Sequence, residues 1–180
     1  MELKAFILSF AGLKQGKHQF KYEVDNTFFE NFGFEEFNSS SLVIDAELDK
    51  RNTIMDLFLK ATGSVNLNCD VTNEPFDLDI DASMDLVIKF GDIFNDDNED
   101  LLILSHGDYE FNIAQYVYEM LVLSIPQKRV HPGVEDGSLD SDVLDKLEEL
   151  RVSMPEEKSN SNDIDPRWDA LKKLKTDNNL

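Results

Sequence analysis

Basic side chains are scarce in this chain. Seventeen Lys and Arg stand against 37 Asp and Glu in 180 residues, a formal charge of −20. Phosphate contacts need cations, so this balance argues against a body that binds bare nucleic acid or an anionic membrane. Two readings stay open, a solvated surface or a basic partner. Cysteine is scarcer still. Cys69 stands alone, which excludes an internal disulfide and fits a reducing cytosol. Long apolar runs are missing too. No stretch approaches the length of a membrane span, and residues 5–10, with Glu2 before them, are too short and wrongly flanked for a secretory signal. A cytoplasmic address with no membrane partner is the expectation.

Catalytic signatures are also lacking: there is no Gly-rich phosphate loop, nucleophile elbow or zincin helix. The tempting group is Asp92, Asp96, Asp97, Glu99 and Asp100. A calcium loop needs Gly at position six and Glu at position twelve. Counted from Asp96 those positions hold Leu101 and Gly107, so the pattern fails. A hydrated acidic loop is the stronger reading, and a carboxylate-metal hydrolase built there the weaker one. Cys69 falls in step with Leu67 and Val71 and reads as a core cysteine rather than a nucleophile. His18, His106 and His131 lie far apart and make no short metal pattern with it. The expectation is a protein that is not an enzyme, with no metal, no cofactor and no small-molecule substrate.

What the chain does hold is alternation. Phe20, Tyr22 and Val24, then Leu42, Ile44, Ala46 and Leu48, alternate with polar residues. Met55, Leu57, Leu59 and Ala61 precede Gly63, and Val65 and Leu67 follow it. From Phe76 to Phe90 every even position is apolar, while Asp77, Asp79, Asp81 and Asp85 hold odd ones. One wet and one dry face is the mark of an antiparallel sheet. Turns are expected at 12–16, at Thr62-Gly63 and at Asn73-Glu74-Pro75. Phe28, Phe29, Phe32, Phe34 and Phe37 form a cluster behind a short helix capped by Asp25 or Thr27. It reads either as a plug over the sheet or as a docking patch. A short strand near 101–105 precedes a well-buried helix from Asn112 to Leu123, stopped by Pro126. Val143, Leu144, Leu147 and Leu150 stripe an acidic helix.

Residues 165–180 differ from all of this. They hold the only Trp and four of the seventeen bases against three acids. Asp165 can cap a helix that Pro166 opens. Trp168, Leu171 and Leu174 line one side, and Arg167, Lys172, Lys173 and Lys175 supply charge. The division expected is a β-rich core over 1–130 with its helix at 112–123, an acidic helix and linker over 131–164, and a cationic tail over 165–180. The fold class is α+β: a twisted antiparallel sheet, curling toward a barrel or split into two layers, with a central helix and C-terminal helices.

Three segments together resemble the YceD family, the large ribosomal RNA subunit accumulation proteins. The first runs from Gly63 to Asp70 through Cys69, with Glu74 and Phe76 after it. The second runs from Phe111-Asn112-Ile113 through Tyr118-Glu119 to the stop from Leu123 to Pro126, followed by Lys128 and His131. The third is Asp165-Pro166-Arg167-Trp168 with Leu171 and Leu174. Many members carry Cys-x-x-Cys in the turn; here Thr72 holds the second position, so no zinc site is carried over. The resemblance implies a role in making or keeping large-subunit ribosomal RNA, linked to 50S assembly, and no catalytic residue. The partners it implies are large-subunit ribosomal RNA or a pre-50S particle. The acidic body adds a basic ribosomal protein as a second candidate. The competing reading is an acidic protein-interaction adaptor unrelated to ribosomes.

Overall fold

In the computed structural model, residues 3–98 and 100–151 are described. By internal contact the chain falls into two units, Met1–Val143 and Leu144–Leu180. The first is built on a six-stranded sheet. Its strands are β2 (Gly16–Val24), β3 (Ser39–Lys50), β4 (Ile54–Asn68), β5 (Pro75–Gly91), β6 (Asn95–Asn98) and β7 (Leu101–Ser105), in the spatial order β2-β3-β4-β5-β7-β6. Two short strands, β1 (Ile7–Ser9) and β8 (Glu110–Asn112), make a separate antiparallel pair. Four helices complete the described part: α1 (Asn26–Glu30), α2 (Ala114–Leu123), α3 (Pro132–Glu135) and α4 (Asp142–Leu150). The class is α+β, with open sheets.

Alternation sets the faces. Leu42, Ile44, Ala46 and Leu48 of β3 are buried, as are Met55, Leu57, Leu59, Ala61, Val65 and Leu67 of β4. In register, Ile44 sits opposite Ala61 and Leu57 opposite Leu86, so the apolar sides of three long strands coincide. Against them pack Phe6, Leu8, Phe10, Phe28, Phe29, Phe111, Ile113, Val117 and Leu121. Burying one such side chain contributes roughly 1.5–3 kcal/mol, which makes this joint cluster the main source of stability.

The phenylalanines form a plug over the inner face of the sheet. Phe28 and Phe29 are buried on α1. Phe28 lies 4.7 Å from Phe6, and Phe32 stacks on Tyr118 of α2 at 4.3 Å. Asp25 is the cap: its Oδ1 accepts the Phe28 N–H at 3.3 Å and the Thr27 hydroxyl at 2.5 Å. Chiefly through the Thr27 bond, its carboxyl is held below the usual range. Asp25→Ala should cost about 1 kcal/mol, read as a lower urea midpoint at constant m-value. An unchanged midpoint would mean that aromatic packing alone holds α1.

Several sequence expectations need correction. The large sheet is mixed, because β7 runs parallel to β5 (Val87 opposite Leu101) while β6 runs antiparallel to β7. The chain leaves β5, descends as β6 one place away, and returns as β7 in the gap. Part of the supposed acidic loop is therefore strand β6. The segment 12–16 does not join a hairpin. β1 belongs with β8, since Phe10 and Ala11 both donate to the Tyr109 carbonyl. Lys50 Nζ then holds the crossing segment by donating to the carbonyls of Phe10 and Leu13 at 2.8 and 2.9 Å.

Thr62-Gly63 is no turn either. β4 runs straight through it, with Gly63 opposite both Leu42 and Ile80. The central helix starts at Ala114, not Asn112, which closes β8 while its Oδ1 accepts the Ala114 N–H at 2.8 Å. That helix is also less buried than its composition implies, because Leu123 is 83% exposed. Among the described residues no helix is long and apolar enough to cross a membrane.

Candidate functional site

Two places on the described body gather chemistry. The first is the turn between β4 and β5, Cys69 to Glu74. Cys69 N–H donates to the Glu74 carbonyl at 2.8 Å, and Asn73 N–H to the Cys69 carbonyl at 2.9 Å. Asn73 takes φ 60°, a left-handed conformation that Asn tolerates better than most residues. The turn docks on the segment after α2. Asp70 and Arg129 exchange backbone and carboxylate bonds at 2.7 Å each. The Arg129 guanidinium reaches Glu36 at 2.6 Å and Asp70 at 3.4 Å. His131 lies edge-on to Phe76 at 5.6 Å and caps α3 by accepting the Gly133 N–H at Nδ1.

Cys69 is 2% exposed and belongs to the core cluster, one residue past the end of β4. Its Sγ accepts N–H bonds from His131 at 3.3 Å and Val71 at 3.4 Å. Burial pushes the thiol up, but the donors of His131, Thr72 and Val71 together outweigh it and bring the pKa down to about 7. Donors aimed at one sulfur, with buried Thr72 in place of a second thiol, do not fit a thiolate metal centre. Among the described residues, no three His, Cys, Asp or Glu converge as a possible ligand set.

The second place is the outer face of the sheet. Along β5, Asp77, Asp79, Asp81 and Asp85 project on one side. Across the strands they meet Asn66, Ser64, Thr62 and Phe58. Asn66 donates to Asp77 at 2.6 Å and Lys60 reaches Asp81 at 3.5 Å. Asp79 and Asp85 face residues that cannot neutralise them. Four carboxylates in a row with one lysine among them leave a net negative potential that a cationic partner would feel before contact.

The candidate residues read from the sequence are spread over these places. Gly63 is a strand position, with φ 141°. Cys69 is the hub of the turn. Glu119 is exposed on α2, where Gln115 donates to it at 2.6 Å. Pro126 is exposed just past the C-cap Ser124. The structure does not gather these four into one cluster. Asp165, Pro166, Arg167, Trp168, Leu171, Lys172, Lys173 and Lys175 lie outside the described residues, as does Glu99. Sequence reasoning missed Glu36 and Arg129, and named Asp70 without its partners. They are far apart along the chain, and nothing in their local spacing marks them as partners.

Comparison with curated proteins and with solved structures found no match. A family model described as large ribosomal RNA subunit accumulation protein YceD matches residues 57–175. That range holds most of β4, all of β5, the Cys69 turn and α2, and the tail as far as Lys175. Spanning well over half of the sequence, the match establishes that the chain belongs to the YceD family, whose description ties it to accumulation of large-subunit ribosomal RNA.

Proposed function

We propose that the protein is a non-catalytic ribosome-biogenesis factor of the cytoplasm that supports 50S assembly. In this reading the acidic body holds a basic ribosomal protein. The tail contacts pre-ribosomal RNA through Arg167, Lys172, Lys173 and Lys175, with Trp168 stacking on a base. The observation that carries the reading is the row of carboxylates at Asp77, Asp79, Asp81 and Asp85 on one sheet face. Such a face repels phosphate and attracts cationic protein, with a fast on-rate that weakens in salt. The tail's part is supported by its composition, one Trp and four bases in sixteen residues.

Fractionation of cell extracts tests the reading. The full chain should sediment with 50S precursors, and Arg167→Ala with Trp168→Ala should release it. In a pull-down, Asp79→Lys with Asp85→Lys should abolish salt-sensitive capture of purified large-subunit ribosomal proteins and leave capture of rRNA fragments intact. A chain that stays out of the precursor fractions would favour the acidic adaptor unrelated to ribosomes.

A further inference from the structure

β5 is paired along one side only. β4 accompanies it from Pro75 to Lys89, but β7 lies along the other side only from Val87 to Gly91. Between Pro75 and Leu86 that side has no strand partner among the described residues. At ~3.3 Å per residue this edge is about 40 Å long. Sheet edges are usually short, or covered by a helix or loop, because free N–H and C=O groups recruit another strand.

An open groove of about 880 Å³ runs beside this edge. One wall is Asp81 through Asp85, five residues in succession. Consecutive residues point to alternate faces, so the wall is the strand edge itself. Glu119, Met120 and Leu123 of α2 line it as well, with Asp96, Asp97 and Asp100. Six carboxylates line the groove, with no Lys, Arg or His among the lining residues. Burial first, then the charges of Asp96 and Glu119, raise the phenol of Tyr116, so those two acids act on one site from different elements. The groove is not purely polar. Leu123 stands 83% exposed, and Leu78, Ala82 and Met84 are only partly covered on the inner side of β5.

We propose that this groove docks a cationic, extended segment of a protein partner, which adds to the free edge of β5 as a further strand. Main-chain bonds to the edge would supply affinity, and alternate side-chain positions specificity. The incoming strand would carry Lys or Arg at every second residue, beside Asp81 and Asp85. Its apolar residues between them would cover Met84 and Leu123. A second copy of this chain is a poor occupant, because edge-to-edge pairing of two β5 strands sets carboxylate rows side by side, and like charges opposite one another destabilise a sheet. RNA is repelled by the same six acids. The proposal deepens the reading of a basic ribosomal protein on the acidic body by giving it an address and a binding mode.

The test uses the full chain and a synthetic peptide of about nine residues alternating Lys and Val, long enough for one average strand. Backbone amide exchange is followed by NMR with and without peptide. Binding should slow exchange by about tenfold or more at the alternate amides of 81–86 that face away from β4, while those bonded to β4 are slow throughout. A peptide with alternate amides N-methylated on its pairing edge loses at least two backbone hydrogen bonds and should bind about tenfold more weakly. Leu123→Ser, at an exposed position, removes apolar cover without adding charge; it should leave circular dichroism unchanged and weaken the peptide several-fold.

Equal binding of the N-methylated peptide would overturn the proposal, as would protection confined to another surface. Slow exchange in the peptide-free chain at those alternate amides of 81–86 that point away from β4 would give the groove to the chain's own C-terminal segment. Protection that grows with protein concentration would give it to a second copy. Displacement of the peptide by oligouridine that protects the same amides would give it to RNA. Each of these three also overturns the proposal. Failure of the peptide to bind would overturn the groove and leave the ribosomal reading to its own fractionation test. Peptide binding by a chain absent from 50S precursors would keep the groove and remove the ribosomal partner.

Discussion

Gly63→Ala should lose at least about 4 kcal/mol of folding free energy, enough to unfold a marginal domain. Two effects add. The backbone at Gly63 has φ 141°, a region that costs a residue with a side chain about 1–3 kcal/mol. A Cβ there would also overlap the Ser41 carbonyl oxygen and come within 2.9 Å of Leu42 Cα. Both obstacles are backbone of the neighbouring strand β3, so no rotamer change relieves them. The damage falls where Leu42, Ala61 and Val65 are all buried. Urea denaturation followed by circular dichroism gives the number. An alanine variant within about 1 kcal/mol of the native chain would show that the β3–β4 pair shifts freely at this point, contrary to a close-packed sheet.

Cys69 should make stability depend on pH in a window that no acidic side chain explains. Its pKa falls from 9.0 to about 7 in the folded protein. A depressed pKa favours the folded state when the group is ionised. The contribution is fully present above pH 9, declines as pH falls toward 7, and is gone below the folded value. A shift of this size corresponds to on the order of 3 kcal/mol. Cys69→Ser removes the titrating group at this position and leaves the others common to both chains. The native chain should therefore gain on the serine variant as pH rises from 6 to 9.5, read as diverging urea midpoints. Parallel midpoints over that span would mean that the N–H donors of His131 and Val71 do not stabilise a thiolate. The same ionisation should make Cys69 react with a small alkylating reagent near neutral pH, slowed by its burial.

The faces of the long strands were readable because alternation reports burial directly. The run of even apolar positions from Phe76 to Phe90 lies within β5, and its aspartates lie on the wet side. Neighbours were less readable. Period two does not name a strand's partner, so the insertion of β7 beside β5 and the pairing of β1 with β8 left no local trace. Gly63 misled for a related reason: in a sequence a glycine between two apolar runs resembles a turn, and only the approach of Ser41 and Leu42 shows that it permits a close contact inside one strand. Leu123 completed an apolar helix surface on paper. In the fold it looks onto the groove, because β5 is uncovered beneath that end of α2.

The candidate site divides in the same way. Asp81, Asp85, Asp96 and Glu119 belong to three elements, and only the fold brings them to one groove. The Cys69 turn was visible as a motif through Asp70, but Arg129 and Glu36, which fasten it, were not. The tail was legible as composition and stays so.

The pairing of Ile7 with Asn112 also bears on how the molecule is made. A nascent chain cannot close the small sheet until residue 112 has cleared the exit tunnel. Until then the inner face of β3 and β4 lacks the cover that Phe111, Ile113 and Val117 provide in the finished protein. Contacts this distant along the chain slow folding, so the interval between synthesis of β4 and of α2 is the period in which a chaperone has most apolar surface to hold.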